Sequence, residues 1–339
     1  MSIPPTVSFF GQSTAQINRL KDLNTTLADL QRQITTGKKF DTLAGFGGTA
    51  AQTVQRVRMD RDRVHGYLDN IGTINTRIKE MDLAMTSVRS QAKQLIEGLA
   101  TAIHSSSDDV GTLSTLARQG LAFVQDLANL NVDGRYLFAG SDVSDAPYLD
   151  SNALDTNFQA EIANWLSGAS TTAQFEANVD SFSAASIGFN PVLSSAGPVT
   201  ARIDDNTDLD YTVRADQAGF QEIIRALGLM ANLKVPDPAV DVPTNTDLDD
   251  VLDKILSTVR AGVDKLDQAQ TSLGIKAKFM QGIQENNEAD AATLEGVITE
   301  TENADVTEAI TKLQALQTQL QASYQVTNVL SQLSLVNFL

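Results

Sequence analysis

The chain has 339 residues, a formal net charge of −17, no cysteine and only 6% aromatic residues. The acidic excess argues against nucleic-acid binding, which requires a basic surface, and the lack of cysteine excludes disulfides and thiolate-bound metals. Sparse aromatic residues among many Leu, Ala, Gln and Thr are typical of long helices rather than of a compact enzyme core. No run approaches the ~18 apolar residues of a membrane span, so we expect no membrane insertion.

The charge is distributed unevenly along the chain. Residues 1–140 carry 15 Lys/Arg and 13 Asp/Glu, whereas residues 141–339 carry 10 and 29. We therefore expect the mildly basic front half to pack against the acidic back half, although each exposed ion pair contributes little. The N-terminus lacks a basic segment followed by an apolar one, so no cleaved secretory signal is predicted.

Near the start of the chain, apolar residues recur every three or four positions. This spacing predicts a helix over residues 13–36 that Gly37 ends, with the narrow apolar stripe of a coiled-coil seam. The stripe consists of Leu20, Leu23, Leu27, Leu30 and Ile34. Residues 37–48 form a Gly-rich loop, which we interpret as structural rather than phosphate-binding because no Gly-Lys-Ser/Thr sequence occurs in it.

A second, much longer helix is predicted over residues 49–104. Four arginines near its start alternate with acidic residues and allow two interpretations, an anion or nucleic-acid patch or a solvated face with ion pairs. We favour the solvated face, with ion pairs between residues four positions apart. A further hypothesis uses the charge asymmetry and pairs the arginines with an acidic segment across an antiparallel helix pair. The arginines are Arg56, Arg58, Arg61 and Arg63, and their expected partners are Glu295, Glu300, Glu302 and Asp305.

Residues 109–129 are predicted to form a further helix, followed by a turn at 131–134 and a strand at 135–138. The composition then changes, and residues 141–218 are predicted to be a partly β insert. It has a short helix at 157–166 and strands at 199–203 and 211–214. A run of aspartates between these strands, Asp204, Asp205, Asp208 and Asp210, could bind Ca²⁺, but the EF-hand spacing is missing and a solvated acidic turn is favoured.

The last third of the chain returns to helical spacing. A helix is predicted at 219–233, a Pro-rich linker at 235–245, and a heptad seam that Thr246 caps and that continues to Asp305, with a candidate break at Asn286. The final helix has the stripe Val306, Ala309, Leu313, Leu316, Leu320 and Leu330.

The sequence therefore predicts a mainly α fold, in which long antiparallel helices or a coiled coil from the N- and C-terminal segments flank a central α+β, β-rich insert domain. The predicted boundaries are 1–45 and 305–339 for the two halves of an assembly helix domain, 46–140 and 219–304 for the two halves of a rod domain, and 141–218 for the insert. Each terminal stripe is half a core, so the two ends are expected to pair and to be completed by other subunits. The predicted assembly interface consists of Leu20, Leu23, Leu27, Leu30, Ile34, Leu313, Leu316, Leu320, Tyr324, Leu330, Leu333 and Leu335.

No catalytic, cofactor-binding or metal-binding residues are predicted. The two histidines, His65 and His104, are far apart in sequence, and no P-loop, zinc-protease or nucleophile motif occurs. We therefore expect a protein that is not an enzyme.

Several segments carry a family resemblance. Residues 27–39, which end in Thr36-Gly37-Lys38-Lys39, resemble the N-terminal helix of bacterial flagellin-like axial proteins. Residues 131–141 (NVDGRYLFAGS) with the following Ala146-Pro147-Tyr148, and the terminal residues 333–339 (LSLVNFL), are similar to the hook-associated proteins of the hook–filament junction. Residues 302–305 (ENAD) resemble the segment that precedes the last helix in flagellin-type proteins. Residues 43–47 (LAGFG) depart from the family, which has Asp-Asp-Pro or Asp-Asp-Ala there.

The resemblance implies a structural role in the bacterial flagellum. Such proteins are exported unfolded by the flagellar type III system without a cleaved signal, and their terminal helices order into the inner tube only on assembly. The implied partners are further copies in a ring, hook-associated protein 1 on the hook side, flagellin on the filament side and a flagellar export chaperone. Two alternatives stay open: a filament flagellin, and a surface adhesin or enzyme with the insert as its binding lobe.

Overall fold

Helices make up most of the chain in the computed structural model, which describes residues 6–103, 107–217 and 219–336. Within these ranges the side chains of residues 6–13, 16, 107–108 and 330–336 are not described. The mainly α fold class predicted from the sequence is confirmed. The helices are α1 Thr6–Thr36, α2 Gly48–Ala102, α3 Ser107–Ala128, α4 Ser151–Leu166, α5 Thr172–Ser181, α6 Phe220–Asn232, α7 Asn245–Glu302 and α8 Val306–Val336.

Across the described ranges, strands occur in two short antiparallel hairpins. The strands are β1 Asn131–Val132, β2 Arg135–Tyr136, β3 Thr200–Asp204 and β4 Thr207–Asp210, and they pair β1 with β2 and β3 with β4. In the first turn Asp133 and Gly134 have φ values of 53° and 77°, the left-handed conformation of a two-residue hairpin turn. The turn predicted there is confirmed. The strand predicted over 135–138 is shorter, because Leu137 and Phe138 are buried in the core.

The segment 141–218 contains more helix than the sequence predicted. Helix α4 begins at residue 151 rather than 157, because Asp150 caps it by accepting a hydrogen bond from the backbone N–H of Asn152. Helix α5 was not predicted, although Thr171 and Gln174 form a capping box at its start. The strand predicted over 211–214 lies earlier, at β4, because Asp204 pairs with Thr207 and the turn between the strands consists of two residues only.

Helices α2 and α7 contain 55 and 58 residues, about 80–90 Å each at ~1.5 Å per residue. They run antiparallel, since Arg89 pairs with Asp267 at 2.7 Å and Gln270 donates to the Asp82 carboxylate at 3.0 Å. Helix α7 has no break at Asn286, contrary to the prediction. Its first turn is also capped by Thr244 rather than by Thr246.

Contacts divide the chain into two units. The first consists of residues 1–65 and 288–339, and the second of residues 66–287. The boundaries between them fall inside α2 and α7. The five segments expected from the sequence stay a prediction, because packing contacts do not report which segments fold independently.

In the second unit, residues of segment 141–218 belong to the same hydrophobic cluster as α2, α3, α6 and α7. The rings of Phe138 and Phe220 lie 4.9 Å apart, and Trp165 stacks on Phe175 at 5.4 Å. Buried Asn232 of α6 donates to the carboxylate of Asp155 on α4 at 2.8 Å. Helix α4 is therefore joined to α5 by ring stacking and to α6 by a hydrogen bond.

Candidate assembly interface

The two terminal helices of the chain pack against each other. Leu30 of α1 forms a buried cluster with Ala309 and Leu316 of α8. The pair is antiparallel, because Leu20, which precedes Leu30 in α1, lines a groove together with residues near Val326, which follows Leu316 in α8. Around the buried cluster lie the partly buried residues Leu23, Leu27, Ile34 and Leu313. The pairing of the two stripes predicted from the sequence is confirmed within one chain.

Within this pair, the predicted interface residues differ in how far they are covered. Leu30, Leu316 and Leu320 are buried, and Tyr324 is exposed. The partly exposed residues are Leu20, Leu23, Leu27, Ile34 and Leu313. The side chains of Leu330, Leu333 and Leu335 lie outside the described part of the structure. Contact of any of these residues with another subunit stays a prediction.

An open apolar groove lies between α1 and α8. Its volume is about 260 Å³, and its lining includes Leu20, Leu23, Ala322 and Val326, with Arg19 at its rim. Close by in sequence, Ile17 is 62% exposed and Val329 is 55% exposed. Burying an aliphatic side chain fully stabilises a protein or a complex by roughly 1.5–3 kcal/mol relative to leaving it exposed to water. The helix pair therefore leaves substantial apolar surface that a further protein surface could cover.

Among the described side chains of these two helices, sequence reasoning missed four exposed apolar residues. They are Ile17, Ile310, Val326 and Val329. Ile17 precedes Leu20 by three residues, so the α1 stripe could have been extended to it. The other three lie off the heptad seam, where a stripe search does not look.

The loop after α1 is bound to the link between α7 and α8. The backbone N–H of Lys39 donates to the carbonyl of Glu302 at 2.8 Å, and Ala304 N–H donates to the carbonyl of Gly37 at 2.9 Å. Lys39 Nζ also donates to the carbonyl of Glu300 at 2.7 Å. We call residues 37–39 with 300–304 the joint. The lysines of the Gly-rich loop thus have protein partners, which supports its structural interpretation.

Two of the arginines near the start of α2 bind the acidic end of α7. Arg58 pairs with Glu302 at 2.6 Å, and Arg61 pairs with Glu295 at 3.2 Å. The hydrogen bond to Glu302 raises the pKa of the Arg58 guanidinium, and hydrogen bonds to the adjacent Asp62 and then to Glu295 raise the pKa of Arg61. The predicted ion pairing across the antiparallel helices is confirmed for these two arginines. Arg63 instead pairs with Asp60 within α2 at 3.0 Å.

The acidic turn of the second hairpin is tied to neighbouring residues. Asp208 lies 3.8 Å from Arg202, and Asp205 accepts a hydrogen bond from the hydroxyl of Tyr67 at 2.9 Å. Across the residues that the structure describes, no three His, Cys, Asp or Glu side chains come together as a metal site would require. His65 is exposed, and His104 lies outside the described residues.

None of the helices in the described ranges has the length and apolar character needed to cross a membrane.

Residues 256–339 match the family model "Bacterial flagellin C-terminal helical region", which covers most of α7 and all of α8. Among curated proteins, no sequence match is found.

Two solved structures are similar in fold. One is described as "Structure of putative flagellar hook-associated protein from Vibrio parahaemolyticus", with a TM-score of 0.52 and 11% identity over 74% of this chain and 96% of that one. The other is Bacillus cereus FlgL, with a TM-score of 0.51 and 13% identity over 72% of this chain and 99% of that one. At these identities the likeness establishes the fold.

The fold places this chain in a class of mainly α proteins whose first and last helices pair with each other. Its C-terminal residues 256–339 match the flagellin C-terminal helical region, and its fold is similar to that of the two hook-associated structures. The resemblance inferred from the sequence motifs is thereby confirmed.

Proposed function

We propose that this protein is a structural component of the bacterial flagellum, an adaptor at the hook–filament junction with no catalytic role. The proposal rests on one observation above others. The paired helices α1 and α8 bury their central leucines against each other but leave Ile17, Tyr324, Val326 and Val329 at least half exposed. Apolar residues concentrated on one helix pair are typical of a protein–protein interaction surface.

The charge pattern of α8 supports contact between copies. From residue 313 to the last residue, 339, the sequence contains no Asp, Glu, Lys, Arg or His. Copies of a chain with a net charge of −17 repel one another. The part of α8 from residue 313 onward is the segment on which they can approach closely, through apolar contacts and the amide groups of Gln and Asn.

We further propose how the protein is exported, where it is located and which proteins it contacts. The protein is exported by the flagellar type III system without a cleaved signal peptide and is located outside the cell on the flagellum. There it forms a ring through the predicted interface residues, with hook-associated protein 1 on the hook side and flagellin on the filament side. An export chaperone covers the terminal helices before assembly. The fold shared with two hook-associated proteins supports this proposal.

Immunogold labelling of intact flagella tests the junction role. We expect gold particles in a single band at the distal end of the hook. Cells that lack the protein should retain hooks and lose filaments, and flagellin should appear in the medium. Labelling confined to the cytoplasm, or normal filaments in the deletion strain, would contradict the proposal.

A filament flagellin is the second candidate. It is supported by the family model that matches residues 256–339, which describes flagellin itself. This candidate predicts gold labelling along the whole filament and growth of long filaments from the purified protein. The junction role predicts short rings and little growth under the same conditions.

A further inference from the structure

Two arginines without an ion-pair partner line one small cavity of the second unit. Arg77 lies on α2, and Arg135 lies on β2 of the first hairpin. Both side chains are half-buried, and neither forms an ion pair with any residue that the structure describes. Two positive charges at one partly buried cavity repel each other unless an anion lies between them.

Arg77 also has a hydrogen-bond donor that is not satisfied. Its Nη1 donates to the hydroxyl of Tyr211 at 3.2 Å. Its Nε is fully buried and has no hydrogen-bond partner in the described part of the chain. An unpaired buried donor costs the whole desolvation energy of that group. An acceptor bound in the cavity would remove this cost.

The lining of the cavity is rich in donors and contains no carboxylate. Besides the two arginines, it consists of Tyr136, Leu137, Val143, Val199, Tyr211 and Thr212. The oxygen of Tyr211 accepts from Arg77, which leaves its O–H free to donate to an anion. Tyr211 is only 5% exposed, so this donor lies where water screens charge weakly.

The volume of the cavity restricts the kind of anion. It is about 10 Å³, which is space for one particle of about the size of a water molecule. A halide ion is only slightly larger than water, whereas phosphate and sulfate carry four oxygens and do not fit. Hydrogen bonds from charged donors to an anion are also roughly twice as strong as those to a neutral acceptor such as water.

Two aspartates near Arg77 do not replace such an anion. Asp69 and Asp133 line a separate groove of about 460 Å³ that Arg77 also borders. Both aspartates are exposed, so that water and salt screen their charge. Their carboxylates form no ion pair with Arg77, which leaves the guanidinium without a close negative charge.

We propose that this cavity is a chloride-binding site, in which Arg77, Arg135 and the hydroxyl of Tyr211 hold one halide ion. The three residues come from α2, from the first hairpin and from the segment that follows β4. One bound ion therefore joins three parts of the second unit that are distant in sequence. An ion that binds only the folded state stabilises it in proportion to the logarithm of the ion concentration.

Thermal unfolding of the full-length protein tests the site. The fluorescence of Trp165, the only tryptophan, reports on the second unit. We expect a midpoint about 2 °C or more higher in sodium chloride than in sodium gluconate, both at about 0.15 M. Gluconate gives the same ionic strength and is too large for the cavity. Equal midpoints in the two salts would overturn the proposal, since a water molecule in the cavity makes stability independent of the anion.

Substitutions assign the effect to the cavity. Arg135→Gln and Tyr211→Phe each remove a donor and should reduce the difference between the two salts to less than half. The matched control is Arg260→Gln, which removes one positive charge from an exposed position of α7 and should keep the full difference. An equal loss in Arg260→Gln, or no loss in Tyr211→Phe, would contradict the site.

The chloride NMR signal detects binding directly and does not depend on any variant being folded. The unmodified protein should broaden this signal, because an ion exchanging with a protein site relaxes faster than a free ion. Excess bromide should reverse the broadening, and excess gluconate should not. Absence of broadening, or equal reversal by gluconate, would overturn the proposal. The site lies in the second unit of the free chain, so its failure leaves the flagellar role untouched.

Discussion

The side-chain amide of Asn287 donates a hydrogen bond to the backbone carbonyl of Ile203 at 3.0 Å, and Asn287 is only 4% exposed. It binds α7 to strand β3 across 84 residues of sequence. Asn287→Ala should leave the Ile203 carbonyl without this donor and lower the free energy of unfolding by about 1–3 kcal/mol. Urea unfolding followed by circular dichroism measures the change.

The adjacent Asn286 provides the control for this prediction, because it is exposed on the same turn of α7. Asn286→Ala should change the free energy of unfolding by no more than about 0.5 kcal/mol. Equal effects of the two substitutions would mean that the hydrogen bond to Ile203 is not what stabilises this contact.

Charges placed in the seam between α1 and α8 should prevent assembly. Leu316 and Leu320 are 9% and 7% exposed, so Asp at both positions would put two carboxylates into an apolar contact. We expect cells with Leu316→Asp and Leu320→Asp to have hooks without filaments, whereas the second unit of the purified protein stays folded by near-UV circular dichroism. Leu316→Met with Leu320→Met keeps the apolar volume and should keep filaments. Normal filaments on cells with the Asp variant would refute the interface.

Gly45 allows a close packing of aromatic rings in the loop between α1 and α2. A Cβ at this position would lie 2.5 Å from Cγ of Phe40, whose ring meets Phe46 edge-on at 4.9 Å. Gly45→Ala should therefore displace Phe40 and speed hydrogen exchange over residues 40–47. Gly48→Ala meets nothing within 4 Å and lies at the start of α2, so it should be neutral or slightly stabilising. If Gly45→Ala exchanges as slowly as Gly48→Ala, the ring packing does not depend on the glycine.

The cap of α7 should make stability depend on pH. The hydroxyl and backbone N–H of Thr244, and then the hydroxyl of Thr172, donate to the Asp247 carboxylate and lower its pKa from its ordinary value of 3.8. A lowered pKa in the folded chain means that the stabilisation is present above pH 3.8 and is lost as the pH falls through the folded value. Asp247→Asn should therefore lower the urea midpoint at pH 7. The deficit should shrink toward pH 3, and a deficit that is constant with pH would contradict this account.

The pairing of the chain ends could be predicted because it depends on side chains with a clear period. Leu20, Leu23, Leu27 and Leu30 recur at coiled-coil spacing, and the α8 stripe has the same spacing. Such an apolar stripe has to pack against another apolar surface. The stripe of each terminal helix provides that surface for the other. The ion pairs of Arg58 and Arg61 followed from charge complementarity between the same two parts of the chain.

The contacts of the joint and the helices of the insert could be predicted less fully from the sequence. The hydrogen bonds of Gly37 and Lys39 to Glu302 and Ala304 are made by backbone atoms, which leave no pattern in the sequence. Helix α5 did leave a pattern in the sequence, since Thr171 and Gln174 have the spacing of a capping box. Its apolar residues are too few for a periodicity search to detect.

Leu30 and Leu316 lie near opposite ends of the chain. Their contact can therefore form only after the ribosome has synthesised α8. At about 5–20 residues per second, translation needs tens of seconds to add the residues that separate α1 from α8. During that time α1 leaves the ribosome with its leucines uncovered, while the hairpin of α4 and α5 can already form from local contacts. The nascent chain is therefore at its most aggregation-prone before its last helix is synthesised, and slowed translation of the final segment should lower the soluble yield.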